Sequence, residues 1–179
     1  SAPTGDEGAM IKTRLVSAST LDKTRARFKA LFDASHLQQL SSCIQRARQL
    51  AADPAAAMEA YRVALRMEKD NWMLLSEAGD YALRRASNRE LAEVLTREAL
   101  RINPWYNVQA WNCLGDLYWF NDDVAKAEHC FQRATVNNPE HFLGWFNLSL
   151  VARRRGALTD AVQMAARALA VHPGGQGFE

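Results

Sequence analysis

Cys113, Cys130, His129 and His141 are the side chains in this chain with the types best suited to chemistry. Thiolate and imidazole in that combination are zinc ligands. Their spacing argues against such a site. His129 and Cys130 are adjacent, so on a helix they point about 100° apart and do not easily serve one ion. With Cys43 the cysteines number three, an odd count without the spacing of a disulfide framework. The plainer reading is reduced thiols packed as small apolar groups, and no metal or other cofactor is expected. Nor does the chain carry a Gly-rich phosphate loop, a zinc-helix motif or a nucleophile elbow. The expectation is a protein that is not an enzyme and works through a surface.

The composition sets similar limits. The 179 residues suffice for one domain with a sizeable core. A 48 % apolar and 23 % charged content is that of an ordinary soluble protein. A net charge of +2 gives no bulk attraction to nucleic acid or membrane, and neither is expected as a partner. No run approaches the length of a transmembrane helix, and the first residues lack the pattern of a signal peptide. Together with unpaired thiols, this points to a cytoplasmic setting, with a periplasmic origin as the alternative.

The elements that must present the surface are legible in a repeat. Ala57, Ala92, Ala127 and Ala161 lie 35, 35 and 34 residues apart. A second alanine follows each by seven, at Ala64, Ala99, Ala134 and Ala168. Pro104, Pro139 and Pro173 close three of the units. A period of this length means stacked supersecondary units. In the clearest unit, Trp111, Leu114, Gly115 and Tyr118 share one helix face. Asp122 and Asp123 offer a turn and an N-cap. Ala127, Phe131 and Ala134 make the stripe of a second helix, and Pro139 stops it. Gly115 and Ala127 are small enough to let two antiparallel helices approach.

This set, W-x2-L-G-x2-Y, then A-x3-F-x2-A, then P, resembles the tetratricopeptide repeat. The following unit keeps Trp145, Leu148, Ala161, Ala168 and Pro173, with Ser149, Ala152 and Ala165 replacing glycine, tyrosine and phenylalanine. The preceding unit keeps Gly79, Ala92, Ala99 and Pro104, with one residue inserted around 85–88. A more degenerate unit starts its second helix with Asp53 as N-cap and Pro54 at the first helical position. The resemblance implies an all-α, right-handed superhelical solenoid of antiparallel helix hairpins, with about four repeats at 36–70, 71–106, 107–141 and 142–175 within a domain of residues 36–179. An N-terminal helix is expected within 18–35, where Leu21, Phe28, Leu31 and Phe32 cluster. Residues 1–17 are expected to be unstructured.

The resemblance also implies a concave groove lined by the first helix of each hairpin. In the third unit the groove positions fall on Gln109, Asn112, Cys113, Asp116, Trp119 and Phe120. In the fourth they fall on Leu143, Phe146, Asn147, Leu150, Arg153 and Arg154. In the second they include Ser76, Glu77, Asp80 and Arg84. From these, Arg84, Asn112, Asp116, Trp119, Phe120, Asn147, Arg153 and Arg154 are the expected partner-binding residues. Trp119 and Phe120 suit an apolar anchor. The arginines suit an acidic side chain or terminal carboxylate. Asn112 and Asn147 suit an extended peptide backbone. The lysine and asparagine clamp of the chaperone-binding subclass is not matched, because Ser76, Asp80, Asn112 and Asp116 stand at its positions.

The functional expectation is a non-catalytic interaction module or scaffold that holds a partner peptide or helix in this groove. Two alternatives stand beside it. One is a regulatory or substrate-recruiting region of a larger enzyme. The other is a self-assembling unit, because the last helix, read as residues 160–171, carries Val162, Met164, Leu169 and Val171. The few Gly-rich residues after Pro173 do not make a cap, so that edge is expected to meet more chain or a second copy.

Overall fold

In this computed structural model the described residues are 34–50 and 52–172, with Asp22, Lys23 and Ala26. The expected unstructured segment 1–17 lies outside them, as does nearly all of the expected helix 18–35. The chain divides into two compact units, Ser1–Ser41 and Ser42–Glu179. Among the described residues there are eight α-helices and no strand: α1 Ala34–Gln49, α2 Pro54–Met67, α3 Trp72–Arg84, α4 Arg89–Ile102, α5 Val108–Phe120, α6 Val124–Asn137, α7 Phe142–Arg154 and α8 Leu158–Val171.

Local signals set the helix starts. Asp53, Asn71, Asn88, Asn107 and Asp123 are N-caps, each accepting a hydrogen bond from the backbone N–H three residues on. Pro54 occupies the first turn of α2. His141 and Ala157 begin α7 and α8 without a side-chain cap bond. The turns inside three hairpins share one device. The residue before the N-cap is left-handed, with φ of 51° at Ser87, 63° at Asp122 and 79° at Gly156. The extra residue of the second unit lies in this turn, between α3 and α4, and leaves both helices intact.

Helices α3–α4, α5–α6 and α7–α8 form tightly packed antiparallel hairpins. Helix α4 then stacks on α5 and α6 on α7, while α3 also meets α5. The period-35 alanines make this possible: Ala57, Ala92, Ala99, Ala127 and Ala134 are fully buried. The glycines make room for particular side chains of the opposing helix. A Cβ on Gly115 would lie 2.6 Å from Cδ1 of Phe131, and one on Gly79 2.7 Å from Oγ1 of Thr96. Gly115 therefore makes room for an aromatic ring in the opposing helix, beyond the helix approach expected of it.

The repeat's tryptophans and prolines are joined directly. Trp111 Nε1–H donates to the Pro104 carbonyl at 2.8 Å, and Trp145 Nε1–H donates to the Pro139 carbonyl at 2.7 Å. Each proline ends one unit, and the tryptophan that follows holds the connecting loop against its helix. The indole N–H is thereby satisfied where the ring is half-buried.

Candidate functional site

Residues of the first helices α3, α5 and α7 border one depression. It encloses about 280 Å³ and is lined by Arg84 from α3, by Asp116, Trp119 and Phe120 from α5, by Phe131 at its base, and by Leu143, Phe146, Asn147 and Leu150 from α7. Five of the eight expected partner-binding residues meet here: Arg84, Asp116, Trp119, Phe120 and Asn147. Asn112, Arg153 and Arg154 do not line it.

Each side chain has a distinct setting. Phe120, at the end of α5, is 53 % exposed, and the Arg89 guanidinium sits 4.8 Å from its ring centroid. Trp119 is half-buried and packs on the cluster of Phe131, Leu148 and Val151. The aromatic pair thus divides its work, one ring holding the stack together and the other facing solvent. Phe146 stacks on Phe142 at 5.9 Å between centroids.

The polar end of the depression is a network across three helices. Arg84 Nε donates to Asp80 Oδ1 at 2.6 Å, and Arg84 Nη2 donates to Asp116 Oδ2 at 2.8 Å. Asn147 Nδ2 donates to Asp116 Oδ1 at 3.3 Å. Burial pushes the Asp116 carboxyl up to about 6; Arg84 opposes the rise and Asp80 adds to it. Further along α3, Glu77 accepts from Nε and Nη2 of Arg48, each at 2.7 Å, and from the Tyr61 hydroxyl at 2.9 Å. Arg48 holds the Glu77 carboxyl below the usual range.

The expected basic rim is not what the structure presents. Arg84 is shared by two carboxylates. Arg154 pairs with Asp122 and lies over the Trp119 ring, and Arg155 pairs with Glu128. Arg153 is exposed and makes no ion pair with a described residue. Carboxylates in the neighbouring hairpin and turn pair with Arg84, Arg154 and Arg155, across hairpins, which spacing along one helix does not reveal. Asn112 also differs from expectation. It is buried, and its amide donates to the Val108 carbonyl of its own helix at 3.2 Å. Leu143, Phe146 and Leu150 are the lining residues that sequence reasoning mapped to the groove without singling out. Their signal was apolar character at groove positions of a helix whose core face already had Trp145 and Leu148.

Two of the three cysteines sit away from solvent, and Cys43 is half-buried. Cys113 and Cys130 are buried, and burial pushes their thiols up to about 11 and about 12. Thr96 Oγ1 lies 3.3 Å from Cys113 Sγ. Among the described residues no three His, Cys, Asp or Glu side chains gather as a metal site, and no helix is long and apolar enough to cross a membrane.

Stacked antiparallel hairpins with an open face built from their first helices define an α-solenoid of the helical-repeat class. Residues 114–175 match the tetratricopeptide repeat family. Mouse (Mus musculus) tetratricopeptide repeat protein 5 is 41 % identical over 63 residues, 35 % of this chain and 14 % of that protein. The chain therefore spans only a small part of the curated relatives it matches. MamA 41-end from Desulfovibrio magneticus RS-1 superimposes with a TM-score of 0.63 at 17 % identity, over 88 % of this chain and 92 % of that one. YrrB, described as a tetratricopeptide repeat protein with an unusual peptide-binding site, gives 0.56 at 19 % identity, over 68 % and 62 %. The described second unit thus has the fold of a tetratricopeptide repeat solenoid, and the family match itself lies in residues 114–175.

Proposed function

We propose that this chain is a non-catalytic interaction module that seats a segment of a partner protein on the face formed by α3, α5 and α7. The observation that carries the reading is the apolar depression between α5 and α7, with exposed Phe120 and Leu143 at its edge and a hydrogen-bonding network at its end. Concave apolar surface with a few convergent polar groups is where proteins bind ligands. YrrB, of similar fold, is described as having a peptide-binding site, which supports a peptide segment as the kind of partner.

A photo-crosslinking residue tests it. Placed at Phe120 or Leu143 in cells, it is expected to give discrete adducts with a partner protein. Placed at Val94, exposed on α4, it is not. Adducts of equal yield from all three positions, or none from the first two, would remove the reading.

A second reading has its own observation. Leu158, Val162 and Leu169 of α8 are 65 %, 69 % and 57 % exposed. Their spacing of four and seven places them on one helix side. This edge suits association with a second copy. Sedimentation velocity over rising concentration is expected to show a dimer, and Val162→Glu with Leu169→Glu to abolish it. A wild-type chain that stays monomeric throughout contradicts self-association.

A further inference from the structure

The charge around the depression argues for the kind of partner it takes. One guanidinium, Arg84, serves two carboxylates, Asp80 and Asp116, through different nitrogens. The network thus holds an uncompensated negative charge. Asp116 Oδ1 has only the long 3.3 Å contact from Asn147, and Asp80 Oδ2 accepts from no described residue. A carboxylate oxygen takes up to about two hydrogen bonds, so acceptor capacity remains. At Arg84 an acidic ligand group would meet two carboxylates already there, while Arg89 and Arg154 stand over the Phe120 and Trp119 rings at the aromatic end. A cationic group meets open acceptors and relieves their repulsion.

The apolar part lies beside this network, since Asp116 and Asn147 line the same depression as Trp119, Phe120, Leu143, Phe146 and Leu150. We infer that the depression receives a segment of a partner protein in which a lysine or arginine lies next to a large apolar side chain. The cation engages Asp116 and Asp80, and the apolar group fills the space edged by Phe120 and Leu143. This rests on the reading of that face as the binding surface and reverses the acidic ligand that the sequence suggested.

Panning a library of random peptides displayed on phage against the immobilised full chain provides the test. Enriched peptides, made synthetically, are titrated by fluorescence anisotropy. The expected motif pairs Lys or Arg with Leu, Phe or Trp. Replacing the cation by glutamate should weaken binding roughly tenfold, as loss of a close charge pair does. Asp116→Asn should cost a similar factor and Asp80→Asn a smaller one; the second variant reports even if the first folds poorly. Phe120→Ala with Leu143→Ala, both exposed positions, should remove binding. Acidic or neutral peptides lost in the Phe120/Leu143 variant but indifferent to Asp116→Asn would overturn the inference and leave the groove reading standing. Peptides indifferent to all these changes, or no enrichment at all, would overturn both.

Discussion

At Asp116, burial wins over an ion pair. The folded carboxyl titrates at about 6, and an unfolded aspartate near about 4. Between those values the folded chain holds more protons than the unfolded one. The stability contributed by this group therefore grows as pH falls from about 6 toward 4 and is lost as pH climbs through 6. The groups that face it are Arg84 and Asp80 from α3 and Asn147 from α7. Wild type should accordingly gain stability relative to Asp116→Asn between pH 7 and pH 5, as read by urea denaturation of both; parallel pH profiles would contradict the assignment. Gly115 offers a steric test of the same kind. Gly115→Ala drives a methyl group into the Phe131 ring and should cost roughly 1–3 kcal/mol, partly recovered by adding Phe131→Leu. Gly79→Ala should cost less, because its first obstacle is the Thr96 hydroxyl. An equal loss at both glycines would refute this account. At this scale the sequence was only half legible. Trp119, Phe120 and Asn147 could be placed on a helix face because the period is local. The pairing of Arg84 with Asp116, 32 residues away and in the next hairpin, could not be read, since stacking geometry decides it.

Helix boundaries follow from short-range chemistry, which is why most are visible in the sequence. Asp53–Pro54 and Asp123 announce their helices through a carboxylate that accepts the first free N–H groups. Helix α8 starts at 158, two residues ahead of the 160 that the sequence suggests, because Ala157 carries no such signal. This makes α8 improvable. Ala157→Asp supplies an acceptor in the position filled by Asp123 in the preceding hairpin and should stabilise the chain by about 0.5–1 kcal/mol. The melting temperature should rise; no rise would mean that the backbone geometry at 157 does not present the side chain to the first turn. The Trp–Pro carbonyl bonds have no such local sign. Both residue types stand out as signature positions, yet their partnership joins the end of one unit to the start of the next.

Across the whole second unit, packed helix pairs are neighbours in sequence, or the first helices of consecutive hairpins, α3 and α5. The period of the small residues, 34 or 35, made that arrangement legible, because each alanine marks one close contact in a series. The partner was not legible, since the repeat fixes a scaffold and leaves the side chains on its open face free to vary. A chain connected only to its neighbours has no single event of unfolding. Its middle is held from two sides and its ends from one. Backbone amide exchange should therefore run as a graded clock along the molecule. Amides of α5 and α6 should exchange last, those of α8 well before them, and adding a hairpin beyond α8 should slow α8 more than α5. Uniform protection across all hairpins would mean that the stack opens as one body, and that removing any hairpin costs every other one its stability.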